Sequence, residues 1–151
     1  FARALGEIAA DKVSQKYGMR GKGLLLAGLL IFEGIGIILF AYSGSLTMAI
    51  VSMLGFALFL KMANGTTYAI TPFINEKNAG MVSGIVGAGG NVGGMLFGFL
   101  FKSESITYVE AFQYIGYVVI AVAALVLITR FTTKGSTEDE EVLDAPLVAQ
   151  P

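Results

Sequence analysis

The chain of 151 residues has no cysteine, no histidine and no tryptophan, and only three prolines. Charge is scarce as well: Asp, Glu, Lys and Arg make up 14%. Each shortage removes a class of function. Without cysteine there is no disulfide framework, thiolate zinc site or thiol nucleophile. Without histidine the usual acid–base triads and the commonest metal ligand go too. A net charge of -1 leaves no basic field for nucleic acid. No enzyme, no metal and no cofactor is expected. A soluble domain carries about 25% charged residues, so this chain lacks the charge to cover a water-facing surface.

What is present is apolar. Hydrophobic residues make up 55%, and 20 glycines come on top of that. Four runs over 24–42, 46–71, 80–101 and 111–131 are almost free of charge. Each is close to or beyond the roughly 20 residues that carry a helix across the hydrocarbon layer. None shows the polar face of a soluble core helix or the short alternating pattern of a membrane strand. The expected fold class is all-α, a polytopic bundle in a lipid bilayer. Pro72 has no N–H to continue a helix, which predicts a stop there.

Residues 1–10, mostly small and apolar, read as the cytoplasmic end of a further span, and 11–23 as a loop. Position 1 is Phe, with neither Met nor a signal-peptide n-region, so the start is expected to be internal to a longer protein. From 132 to 151 the chain turns polar and acidic, the composition of a disordered tail. Alternating spans put Lys12, Lys16, Arg20, Lys22, Lys77, Arg130 and Lys134 on one side and Lys102 on the other. Cytoplasmic loops collect Lys and Arg, so the first loop, the Pro72 turn and the C-terminal tail are expected to face the cytoplasm.

The residues able to carry chemistry are few. In Gly80–Gly98, glycine recurs at 80, 84, 87, 89, 90, 93, 94 and 98. Pairs four apart share a helix face, and lacking a Cβ they let another helix approach closely. Each interior glycine costs about 1 kcal/mol of helix propensity relative to Ala, so the cluster needs a reason. Tight packing is one, and a permeation path around Asn91 is the other. A dinucleotide loop fails, because no strand precedes it and Val92 stands where the third glycine belongs. Asn91 at mid-span can donate and accept hydrogen bonds at once, either to a passing anion or to a neighbouring helix. Arg3 stands nearly two turns before the charged loop, and a guanidinium in a span faces a cavity or a partner. Its planar fork matches a small planar oxyanion. Glu33 and Lys61 are the remaining charges within complete spans, each a proton site, part of a substrate path, or half of an ion pair.

Together these residues resemble the C-terminal half of a major facilitator superfamily transporter, specifically the nitrate/nitrite porter family. FARALGEIAAD resembles the end of that family's eighth helix. DKVSQKYGMRGK, with Asp11, Arg20 and a turn at Gly18, resembles the superfamily's gating loop. PFINEKNAG resembles the loop before the eleventh helix, and GAGGNVGG resembles the nitrate signature within it. The resemblance covers roughly Phe1–Thr133 and is greatest to eukaryotic plasma-membrane members of the high-affinity type. One departure stands out: Glu7 occupies a place where the family usually has glycine. An acid there either crowds the helix packing or answers a nearby cation.

The resemblance implies a twelve-helix fold and secondary transport of nitrate, and of nitrite with it, by alternating access with protons as the coupled ion. Arg3 and Asn91 would contact the anion, with a second arginine from the N-terminal half of the same chain. Gly84, Gly87, Gly89, Gly90, Gly93 and Gly94 would let helices slide. Two alternatives stay open: a carrier of the same superfamily for another small anion or solute, and a multi-span scaffold whose glycines only pack helices. An accessory protein is neither indicated nor excluded by any residue pattern.

Overall fold

In a computed structural model, residues 2–102 and 104–129 are described, Glu76 without its side chain. The acidic tail over 132–151 lies outside these residues, as do Arg130 and Lys134 of the charge count. The order is α1 (Ala2–Ala41), α2 (Leu46–Ile74), a 3-10 turn (Glu76–Asn78), α3 (Ala79–Lys102) and α4 (Tyr108–Ile128). All four α-helices are long and apolar enough to cross a membrane. The architecture is all-α, without strands among the described residues.

The element boundaries differ from the sequence expectation in three places, each for a local reason. A loop was expected over 11–23, yet the backbone there is helical except at Gly18, with φ 60° and ψ -155°. Only glycine adopts that geometry freely, so the whole turn is concentrated in one residue. The two arms of α1 lie close at this break: a Cβ on Gly21 would come within 2.8 Å of both Val13 Cγ1 and Tyr17 Cβ. Pro72 does not end α2, which runs on to Ile74. The carbonyl that a residue-72 N–H would have served belongs to Tyr68, and the Thr71 hydroxyl donates to it instead at 3.1 Å. With that acceptor satisfied, proline is tolerated near the helix end. α4 starts at Tyr108 rather than 111, because Thr107 and Glu110 form a reciprocal capping box. Such a box satisfies two of the free N–H groups at a helix start.

α1 is the hub, packed most extensively on α2 and next on α4, while α3 rests lightly on α2 and barely touches α4. The closest approach is backbone to backbone. A Cβ on Gly6 would fall on the Met62 carbonyl, and one on Gly65 would fall on the Arg3 carbonyl. Thr66 fastens the crossing, its hydroxyl 3.3 Å from the Gly6 carbonyl oxygen and 3.0 Å from that of Met62. A second crossing joins α1 to α4, where Cβ atoms on Gly34 and Gly116 would each run into an isoleucine of the other helix. Leu26, Leu29, Ala63 and Ile70 form the small buried cluster between α1 and α2.

Away from the Gly18 break, rings hold the helices together. Phe40 meets Phe56 of α2 at 5.7 Å and Phe112 of α4 at 4.9 Å, and Phe112 meets Phe101 of α3 at 5.0 Å. Outside these contacts the surface is apolar: Leu54, Ile85, Leu96 and Leu125 are each more than 60% exposed. That exterior suits hydrocarbon rather than water.

Two α2 glycines separate packing from propensity. Gly65→Ala forces its methyl into α1 and is expected to cost about 1–3 kcal/mol, the usual penalty of overpacking. Gly55→Ala, with nothing within 4 Å of its Cβ, is expected to be neutral or stabilising by up to about 1 kcal/mol. Thermal unfolding of the purified protein in detergent measures both. Equal behaviour of the two variants would contradict the close crossing.

Candidate functional site

Arg3 is held at the tightest point of the fold. Gly65 brings the α2 backbone against the Arg3 carbonyl and the Glu7 amide, so the helix turn that carries the arginine has no room to shift. Its side chain stays 53% exposed. Nε lies 3.3 Å from Glu7 Oε1, one helical turn on, where i and i+4 side chains meet. Glu7 therefore answers a cation rather than crowding the packing. The Arg3 guanidinium carbon sits 4.6 Å from the centre of the Tyr68 ring, within cation–π range.

Tyr68 extends this arrangement to a third helix. A Cβ on Gly87 would lie 3.1 Å from the Tyr68 hydroxyl, so α3 passes the phenol at a residue with no side chain. Asn91 follows four residues later and is exposed. Residues four apart share a helix face, so Asn91 stands on the side of α3 that meets Tyr68. No hydrogen bond joins Asn91 to Arg3. A polar link between α2 and α3 is the Thr71–Ser83 hydroxyl pair at 3.2 Å.

The glycine signature behaves differently from the glycines that pack. Beside Gly84, Gly89, Gly90, Gly93 and Gly94 nothing lies within 4 Å of where a Cβ would stand, and α3 has no buried residue. Among the described residues the close helix approaches run instead through Gly6, Gly34, Gly36, Gly65 and Gly116. No glycine-rich signature marks these positions, and only the fold shows which of them meet another helix.

Asp11 pairs with Lys22, Nζ to Oδ1 at 3.1 Å, while Arg20 is exposed. Lys22 is 2% exposed; its ammonium also donates to the Ala69 carbonyl at 3.2 Å and sits 4.5 Å from the Phe73 ring. The signal for Lys22 is periodic. Lys22, Leu26, Leu29, Glu33 and Ile37 are all buried, at the three-and-four spacing of one helix face, and Arg20 is off that face. Glu33 lies buried on it beside the Gly34 crossing, and Lys61 is exposed on α2. Neither takes part in an ion pair among the described residues; the pairs are Arg3–Glu7 and Lys22–Asp11.

The architecture defines a multi-pass α-helical membrane protein. No protein-family model matches the chain, and no solved structure matches it. Curated relatives do. Nitrate transporter 2.2 of Chlamydomonas reinhardtii is 35% identical over 143 residues, 90% of this chain and 28% of that protein. High affinity nitrate transporter 2.5 of Arabidopsis thaliana is 42% identical over 108 residues, 70% of this chain and 21% of the relative. Elsinochrome transporter 1 of Elsinoe fawcettii is 36% identical over 123 residues, 78% of this chain and 24% of the relative. The chain belongs to the nitrate/nitrite porter family of the major facilitator superfamily. It spans about a quarter of the length of the curated relatives it matches.

The loop contacts separate Lys22 from Arg20. The Asp11 carboxylate is 67% accessible, so water and salt screen the ion pair itself. The hydrogen bond to Ala69 and the contact with Phe73 are expected to dominate. Lys22→Ala should therefore cost about 1–3 kcal/mol, and Arg20→Ala no more than about 0.5 kcal/mol. Thermal melts of both variants test this; a larger loss for Arg20→Ala would reverse the assignment.

Proposed function

We propose that this chain is part of a secondary carrier that moves nitrate, and nitrite with it, across the plasma membrane by alternating access. The observation that carries the reading is the Arg3 guanidinium, set in a membrane-length helix yet half exposed against Tyr68 of α2, whose hydroxyl in turn reaches α3. An arginine has five N–H donors. With Nε given to Glu7, the four on its two terminal nitrogens are left for a ligand. They form a flat edge that matches two oxygens of a planar oxyanion. Asn91 adds a neutral donor from α3, and a second arginine, from the N-terminal half of the carrier, completes the charge balance.

Moving an anion into a negative-inside compartment costs about 2.3 kcal/mol per charge per 100 mV. A coupled cation must offset that, and we assign this role to protons, with Glu7 and Glu33 the carboxylates available in this part of the chain. Alternating access needs helices that slide. The open flank of α3, with its unoccupied glycines, supplies a surface on which another part of the carrier moves. Asp11 and Lys22 tie the two arms of α1 and α2 together, as a gate at one end requires. Lys22 lies against Ala69 and Phe73, so the Gly18 break and the C-terminal end of α2 share an end of the molecule. The segment around Gly18 holds four cations to one acid and the turn after α2 adds Lys77, which supports placing this end, and the C-terminal tail, in the cytoplasm.

A second reading is a carrier for a larger organic solute, favoured by the likeness to a relative named for elsinochrome. Uptake by the complete carrier separates the two. Nitrite and chlorate are expected to compete with nitrate, and organic solutes are not. Arg3→Lys keeps the charge and loses the fork, so the nitrate KM is expected to rise about ten- to a hundredfold. A KM close to wild type would overturn the assignment of Arg3.

A further inference from the structure

We propose that Tyr68 is a positioning residue for the anion site: its ring seats the Arg3 guanidinium and its hydroxyl keys that seat to the bare backbone of α3 at Gly87. The proposal rests on the reading of Arg3 as an anion contact. Three observations converge on it. The guanidinium carbon is 4.6 Å from the ring centre, the hydroxyl is 3.1 Å from where a Gly87 Cβ would stand, and the Arg3 backbone is pinned by Gly65.

The chemistry follows from the shape of the groups. A guanidinium packed on an aromatic ring keeps its N–H donors in its own plane, away from the ring face. Glu7 takes Nε and so fixes rotation about the side chain. With Arg3 held at its backbone, at Nε and at its π-face, one edge is left to meet the anion. An unsupported arginine would lose side-chain entropy on each binding event, whereas this one has already been ordered. Tyr68 does so without adding a second negative charge that would repel an anion. Its hydroxyl ends at Gly87, one turn from Asn91, and so spaces the charged contact from the neutral one. A larger residue at position 87 displaces the phenol, and with it the seat of the arginine.

The test is nitrate uptake by the complete carrier, with KM and turnover per delivered molecule measured for four variants and one double variant. Tyr68→Leu removes the ring, and KM is expected to rise about three- to thirtyfold with turnover held within about twofold, the mark of lost uniform binding. Tyr68→Phe retains the ring and restores KM to within about threefold of wild type. Gly87→Ala pushes on the hydroxyl and raises KM, and the double variant Tyr68→Phe with Gly87→Ala lowers it again. A purely structural tyrosine predicts no such rescue. If Tyr68→Leu fails to reach the membrane, the Gly87→Ala cycle carries the test.

Arg3→Lys, run in parallel, separates the proposal from its premise. An unchanged KM in Arg3→Lys removes the anion site itself. A raised KM there, with Tyr68→Leu at wild-type KM or no rescue of Gly87→Ala, overturns the role of Tyr68 alone.

Discussion

The contact on which the rest depends is the meeting of two bare backbones, where Gly6 of α1 lies against Met62 and Gly65 of α2 lies against Arg3. In a bilayer, lipid tails are as apolar as leucine, so burying side chains gives helices little reason to associate. Close approach supplies dispersion contacts and short-range polar ones in its place, and it is open only to residues without a Cβ. Thr66 adds a hydroxyl across the same point. The Gly34–Gly116 crossing repeats the solution between α1 and α4. α1, bent once at Gly18, thereby becomes the element on which α2 and α4 are both registered.

That crossing also has a chemical consequence. The turn of α1 pressed against Gly65 is the one that bears Arg3, so the rigid point of the fold and the candidate anion contact coincide. Glu7 and Tyr68 then restrict the side chain from two directions. α3 stands apart: it touches the others through Tyr68 at Gly87, the Thr71–Ser83 hydroxyls and the Phe101 rings, and it buries no residue. A closely packed pair of helices beside a lightly packed, glycine-rich one is the arrangement on which the proposed anion site and the proposed motion rest.

Much of this was legible in the residue order. Long runs almost free of charge match or exceed the length that carries a helix across a bilayer, so the four helices, the all-α class and the membrane setting follow from composition and length. The motifs at 1–11 and 87–94 carried the family. Pro72 misled, because its missing N–H was weighed without the Thr71 hydroxyl that serves the freed carbonyl. The 11–23 segment misled for a related reason: its charges read as a solvated loop, whereas the backbone confines the turn to Gly18 and stays helical on either side. Arg20 came with the resemblance to the gating loop; the buried partner of Asp11 is Lys22, which the three-and-four spacing of Leu26, Leu29 and Glu33 marks.

Sequence alone decided which segments enter lipid, where the chain turns polar, and which few charged and amide groups are available to meet an ion. These are properties of each segment against its solvent and need no neighbour. Tertiary structure decided which glycines touch, that Glu7 answers Arg3, and that a tyrosine 65 residues away lies beneath the guanidinium. Such pairings depend on the rotation and crossing point of two helices, to which the periodicity of either helix alone is blind.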